Sequence, residues 1–399
     1  FPTANSYPAI CADILSDAIA CIGFSWIATP ACTELEVLMM DWLAKILNLP
    51  DFYLASSVGQ GGGVIQGTAS ESVLVTLLSA RNKTIQEVKT KHPDWTDHEI
   101  RSKLVAYCSE QAHSCFERAT LLAPVRCHKV AVDEKYSLRG LKLSEAIEDD
   151  KKNGLIPFFV CATLGTTSIC SYDNVQEIGP ICRDENLWLH IDAAYAGSAF
   201  ICPELRPYLD GVEFSDSFNF NPHKWLLVNF DCSALWVKNR SYLVDSFNVD
   251  PIYLKHENQN VAPDFRHWQI PLGRRFRSLK LWFVMRLFGV KGLQSYIRKH
   301  VALAKYFESL VAKDDRFEII GEVTMGLVCF RLKGSNELNE NLLKQITQDA
   351  KIYMVPSKIN DVYFIRFAVC ASSSEQRHID FAWENILKNA EFILNSLKL

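Results

Sequence analysis

Apolar residues along much of this chain fall into short continuous runs separated by helically spaced stretches. Leu104 to Cys108, Cys127 to Val132, Pro157 to Thr163, Leu187 to Ile191, Ser217 to Phe220 and Ala234 to Val237 each read as a buried strand. Such runs, alternating with helices, predict a mainly parallel sheet covered on both faces. Residues 1 to 50 read as loop followed by helix, with Pro30 and Thr33 ahead of apolar positions at helical spacing from Leu35 to Leu47. Ser57 to Gly63 reads as a flexible loop leading into Val64-Ile65 and then a helix from Ala69. Thr96 and Glu99 have capping-box spacing for a short helix.

From Ser278 the pattern turns long and helical, through Trp282, Val284 and Leu287 towards Val311, as expected of a connecting helix pair. Four strands follow, at Phe317 to Ile320, Gly326 to Leu332, Tyr353 to Pro356 and Tyr363 to Val369, with helices from Asn336 and Ser374. This C-terminal stretch predicts a compact α+β unit of about 90 residues, an ordinary size for a small domain. The expectation is therefore an α/β protein with a large domain over 1–297 and a small α+β domain over 298–399.

Composition narrows the classes of function. The formal net charge of −4 and the lack of a basic tract argue against nucleic acid or an anionic membrane as partner. No stretch approaches the ~18 consecutive apolar residues of a membrane span. The thirteen cysteines include no Cys-x-x-Cys and sit in apolar segments, as buried thiols of a reducing cytosol would. No signal peptide is visible, and the chain begins at Phe1 without methionine.

The chemistry concentrates at strand ends. Asp192 follows the run Leu187 to Ile191, and Asn221-Pro222-His223-Lys224-Trp225 follows Ser217 to Phe220. A carboxylate and a lysine at adjacent strand ends can converge on one crevice of an α/β sheet. Pyridoxal phosphate uses that pair: the lysine as Schiff-base amine, the carboxylate to keep the pyridine nitrogen protonated. Gly67-Thr68-Ala69-Ser70-Glu71 enters an apolar helix whose first-turn amides and positive dipole end suit a phosphate. The alternative is a plain capping box, Thr68-x-x-Glu71. Thr68 stands where a P-loop requires lysine, and Val64 where a Rossmann fingerprint requires its third glycine.

His113 lies at a loop-to-helix junction, where it can stack on a cofactor, move a proton or bond nearby backbone. His190, two residues from Asp192 on one strand face, is expected to orient that carboxylate, and His223 to reach a phosphate. Thr163 to Thr167 ends another strand with hydroxyls towards the crevice. The polar segment 248–262 carries Tyr253 and has the character of a lid. No metal motif is apparent.

Phe1-Pro2-Thr3, Pro30 to Glu36, Gln111-Ala112-His113-Ser114, Asp192 to Gly197, Asn221 to Trp225 and His267 to Arg275 together resemble the aromatic L-amino-acid decarboxylases, group II pyridoxal-phosphate-dependent enzymes. The resemblance spans essentially the whole chain. It implies fold type I, with a seven-stranded, mainly parallel sheet in the large domain, and a cytoplasmic homodimer with active sites at the subunit interface. It implies decarboxylation of L-dopa and L-5-hydroxytryptophan to dopamine and serotonin, the chemistry of catecholamine biosynthesis.

Residue by residue, the resemblance makes Lys224 the Schiff-base lysine and Asp192 the partner of the pyridine nitrogen. His113 and Ala194 would flank the ring, with Thr167 nearby. Thr68, Ala69, Ser70 and Asn221 would bind phosphate, with His223 beside them. Tyr253 would be the proton donor. Phe1, Thr3, Ile22, Phe24 and Gly273 would line the side-chain pocket with His113. In that family a helical segment precedes the Phe-Pro-Thr stretch and wraps the partner; residues 1–399 lack it, so incomplete dimerisation of this piece is expected.

The rivals are an aldehyde synthase on the same scaffold, a histidine decarboxylase and a silent scaffold protein. His113 and Tyr253 argue against the first, Gly273 against the second, and the intact lysine, carboxylate and phosphate loop against the third. Phe116 has no assigned role.

Overall fold

The computed structural model describes residues 3–249 and 262–396. Seven strands form the main sheet: β1 (Gly62–Gln66), β2 (Leu104–Ser109), β3 (Arg126–Val130), β4 (Ile156–Thr163), β5 (Trp188–Asp192), β6 (Ser217–Phe220) and β7 (Ser233–Val237). Their spatial order is β1-β7-β6-β5-β4-β2-β3. The pairs from β6 through β3 are parallel, while β7 runs antiparallel to both its neighbours. Strands β2, β4, β5, β6 and β7 are almost wholly buried, which explains why they read as continuous apolar runs rather than alternations.

The helices associated with this sheet are α1 (Tyr7–Ile19), α2 (Pro30–Leu47), α3 (Ala69–Lys91), α4 (Asp97–Lys103), α5 (Ser114–Leu122), α6 (Gly140–Lys152), α7 (Val175–Asp184), α8 (Pro222–Trp225) and α9 (Ser241–Phe247). They cover both faces, and the two cores differ in membership. Ile65, Tyr107, Val160, Leu189, Ile191 and Phe218 belong to one, while Val64, Ala106, Phe159, Trp188 and Leu235 belong to the other. The alternation of neighbouring residues between cores is the two-residue period of a strand buried on both sides.

The long helix α10 (Arg277–Val311) leads to the second unit and breaks its helical geometry at Gly289, so it is a pair of helices across a kink, as expected. Its residues up to Ile297 pack on the large-sheet core, and those from Leu303 pack on a second core. There β8 (Phe317–Ile319), β9 (Leu327–Leu332), β10 (Val355–Ile359) and β11 (Val362–Ala368) form an antiparallel sheet in the order β10-β11-β9-β8. Helices α11 (Asn336–Asp349) and α12 (Gln376–Ser396) complete that unit.

Two elements depart from the sequence expectation. Residues 7–19, expected as loop, form α1, capped by Ser6, whose hydroxyl accepts from the Ala9 N–H at 3.4 Å. Its apolar positions are only partly buried, so no clean stripe marked it. Gly62 and Gly63, expected as the end of a flexible loop, instead open β1. A Cβ on Gly63 would stand 2.7 Å from both Met40 Cε and Trp236 Nε1, so only glycine fits between α2 and β7.

A buried ion pair fastens this end of the sheet. Arg274 and Glu36 pair with side chains 0% and 1% exposed. Glu36 also accepts from the Ile65 N–H at 2.7 Å, and Arg274 donates to Gln269 Oε1 at 2.6 Å. Removing one partner strands the other charge in the interior, so Glu36→Ala is expected to cost about 3 kcal/mol. Urea denaturation measures this, and an unchanged midpoint would show that the pair is dispensable.

Candidate active site

The carboxyl ends of β4, β5 and β6 abut, and the segments leaving them meet over a cavity of about 240 Å³. All ten residues expected around a cofactor line it: Thr68, Ala69, Ser70, His113, Thr167, Asp192, Ala194, Asn221, His223 and Lys224. Thr163, Gly165, Cys115 and Tyr195 complete the wall. Cys115 and Tyr195 were not singled out from the sequence, although each lies within three residues of His113 or Asp192. Gly165, at φ +85°, turns the chain sharply after β4, and a Cβ there would stand 2.6 Å from that of Ala196. Thr166 turns away to bond Ser171 at 2.8 Å.

One end of the cavity is the start of α3. The Thr68 hydroxyl accepts from the Glu71 N–H at 3.3 Å, while Glu71 Oε2 reaches back to the Gly67 N–H at 2.7 Å. The capping arrangement is therefore real, and it does not compete with anion binding. It uses the Glu71 amide and leaves those of Ala69 and Ser70, which have no intrahelical acceptor, at the cavity.

The histidines here are neutral donors. His113 caps α5 and its Nδ1 accepts from the Cys115 N–H at 3.1 Å, which leaves the ring proton on Nε2. Burial, the larger cause, lowers its pKa against the opposing pull of Asp192. His223 Nδ1 accepts from the Cys232 N–H at 2.9 Å, and burial pushes its pKa down to about 4. Burial likewise lowers the pKa of Lys224, with Asp192 working the other way. The amine is thereby eased towards its nucleophilic, uncharged form.

Asp192 ends β5, and its Oδ1 accepts from the Ala194 N–H at 3.0 Å. His190, expected to orient it, makes no direct hydrogen bond to it. Its two ring nitrogens are engaged by Ser217 at 2.7 Å and Asn219 at 2.9 Å. Phe116 is buried and stacks on Phe159 at 6.1 Å, outside the cavity wall.

The described residues expected to line the side-chain pocket with His113 lie outside this wall. Thr3, Ile22, Phe24 and Gly273 are not among those lining this cavity. Ile22 and Phe24 lie along the 264–274 segment, through the Gly23 N–H to Arg274 O (3.2 Å) and the Arg266 N–H to Phe24 O (3.0 Å). Ile22 is 55% exposed. Thr3 is closer, since the Ala4 N–H donates to His223 O at 2.7 Å. Phe1 and Tyr253 lie outside the described residues.

Larger cavities exist, one of about 570 Å³ beside Tyr172 and Tyr208 and one of about 770 Å³ beside Arg240 and Trp268. Neither is lined by Lys224 or Asp192, so chemistry rather than size selects the site. Its residues suit pyridoxal phosphate: a half-buried lysine, a carboxylate, and free helix amides. The buried Thr163 Oγ1 and Asn221 Oδ1 lack hydrogen-bond partners among the described residues.

The chain matches the family model of the pyridoxal-dependent decarboxylase conserved domain over residues 1–333. It is 62% identical to a Mus musculus aromatic-L-amino-acid decarboxylase over 400 residues, covering 100% of this chain and 83% of that protein. The crystal structure of Oryza sativa TDC with PLP and tryptamine superposes with a TM-score of 0.94 at 40% identity, covering 98% of this chain and 83% of that one. Rhodiola rosea 4-hydroxyphenylacetaldehyde synthase is also similar, with a TM-score of 0.91 at 38% identity over 98% and 82% of the two chains.

Burial pushes His190, His223 and His300 each down to about 4, below the ordinary value of 6.5. Folding thus favours their neutral forms, a contribution complete above pH 6.5 and lost as pH falls towards 4. Between pH 7 and 5 each is expected to cost about 2 kcal/mol. Asp173, pushed up to about 6 by burial, works the other way. The urea midpoint should therefore drop on acidification to pH 5, and a rise would contradict neutral burial of the three rings.

Proposed function

The chain belongs to the pyridoxal-dependent decarboxylases, and from that premise we propose that it decarboxylates aromatic L-amino acids, with L-dopa and L-5-hydroxytryptophan as substrates and dopamine and serotonin as products. The observation that carries this reading is the single cavity shared by Lys224, Asp192 and the α3 amino terminus. Its support is the identity of about 60% to aromatic-L-amino-acid decarboxylases over nearly the full chain.

Bound pyridoxal phosphate supplies an electron sink for the pair released when a Cα–carboxylate bond breaks. Asp192 is the group that holds a proton at the ring nitrogen. The amides of Ala69 and Ser70, with the hydroxyls of Thr68 and Ser70, hold the phosphate; Asn221 and His223 stand beside them. Lys224 would hold the cofactor through its side-chain amine, whose pKa is lowered by burial. His113, with its proton on Nε2, would flank the ring together with Ala194, with Thr167 nearby. Tyr253 delivers the proton to Cα.

Thr3, Ile22, Phe24, Gly273 and Phe1 contact the substrate's aromatic side chain. The separation of Ile22, Phe24 and Gly273 from the cofactor cavity fits a homodimer in which a second copy supplies them. A cytoplasmic location and a place in catecholamine biosynthesis follow from the same reading. All thirteen cysteines are free thiols, in keeping with a reducing compartment. Among the described residues, no helix is long and apolar enough to cross a membrane.

Lys224→Ala is expected to lose turnover by on the order of a thousandfold or more, while still taking up pyridoxal phosphate without the borohydride-sensitive visible band. Retained turnover would refute its role. Product analysis with L-dopa and with L-5-hydroxytryptophan should give amine and equivalent CO2 without peroxide. Aldehyde with peroxide would instead favour the synthase chemistry named for the Rhodiola rosea relative, and would remove Tyr253 as an effective proton donor.

A further inference from the structure

Behind Asp192 the sheet holds a row of buried polar side chains. Trp188 Nε1 donates to Ser217 Oγ at 2.8 Å, Ser217 Oγ stands 2.7 Å from His190 Nδ1, and His190 Nε2 stands 2.9 Å from Asn219 Oδ1. Ser217, His190 and Asn219 are 0% exposed, and Trp188 is 4%. An indole N–H only donates and an amide oxygen only accepts, so the proton positions follow. Ser217 receives the indole hydrogen and gives its own to Nδ1; Nε2 carries the ring proton and gives it to Asn219. Burial, which pushes the imidazole down to about 4, keeps it in the neutral state this arrangement requires. Stacking on Phe159 at 6.1 Å fixes the ring plane.

Every donor in this chain points towards Asn219, whose Nδ2 is buried and has no partner among the described residues. Asn219 stands directly opposite Asp192 in the register of β5 and β6. A buried amide without an acceptor is costly, and aligned hydrogen bonds polarise one another in the same direction. The carboxylate beside it is the acceptor that this polarity suits.

We propose that Trp188, Ser217, His190 and Asn219 form a positioning relay for Asp192, in which Asn219 turns its amide hydrogens onto the carboxylate once that group engages the cofactor. The relay rests on the reading of Asp192 given above. None of its members touches the cavity; they act by fixing the carboxylate's orientation.

The test compares the full-length protein with Asn219→Leu, Ser217→Ala, Ser217→Thr and Asp192→Asn. Affinity for pyridoxal phosphate is read from quenching of tryptophan fluorescence, and the visible band of the loaded protein is followed against pH. Asn219→Leu should weaken cofactor affinity by about tenfold and narrow the pH range over which the band persists. Ser217→Ala should shift the pH profile in the same direction but less, and Ser217→Thr, which keeps the hydroxyl, should restore it. Urea midpoints of the cofactor-free forms separate positioning from packing. Lower midpoints with affinity and pH profile at wild-type values would overturn the relay. Should Asn219→Leu fail to fold, the Ser217 pair decides alone: a wild-type profile for Ser217→Ala overturns the proposal. A wild-type protein that takes up no cofactor, or an Asp192→Asn protein with wild-type affinity, would overturn the site reading instead.

Discussion

The parallel register of β4, β5 and β6 is the constraint on which the rest depends. Thr163, Asp192 and Asn219 occupy one row across the three strands. The ladder continues past the strand ends through the Leu164 N–H to Asp192 O and the Ala193 N–H to Asn219 O, each 2.9 Å. Parallel strands all release their chains at the same edge, so the segments carrying Gly165, Ala194 and Lys224 are forced together over it. A slip of one residue in β5 would send Asp192 to the opposite face, out of the cavity it shares with Lys224.

That geometry sets the electrostatics. The wall of the cavity carries one lysine and no arginine, and its two histidines are held neutral by burial and by accepting backbone N–H groups. A phosphate placed there would rely on helix amides and hydroxyls rather than on opposing charge. Beyond the wall, Arg366 adds a smaller repulsion that also lowers the pKa of Lys224. Its short helix is held from behind: Trp225 stacks on Tyr195 at 4.8 Å and donates to His300 Nδ1 on α10 at 2.9 Å. The small helix therefore links the large sheet to the helix leading into the second unit.

Much of this was legible in the linear order of residues. The central strands announced themselves because burial on both faces demands unbroken apolar runs, and the helix starts at Ala69 and Asp97 because caps are local devices. Asp192 and Lys224 could be brought to one crevice from the sequence because strand-end positions are fixed by the strands before them, and they line one cavity. β1 was hidden, since glycines that permit close packing against Met40 and Trp236 look the same as glycines that permit flexibility. α1 was hidden because its outward apolar residues, among them Tyr7 at 86% and Ile14 at 66% exposure, break the amphipathic pattern.

The sequence by itself determined the inventory: which strands lie inside, which loops begin helices, and that a lysine and a carboxylate leave neighbouring strands at one edge. Tertiary structure alone decided the partners. His190 could be placed on the face of Asp192 from its two-residue spacing, yet its bonds run sideways to Ser217 and Asn219, which are 27 and 29 residues away. Ile22, Phe24 and Gly273 were grouped by resemblance, yet within one chain they lie apart from Lys224. Spacing along a strand fixes the direction of a side chain, because backbone dihedrals are local. What that side chain meets is set by register and packing between segments distant in the chain, and no local pattern encodes it.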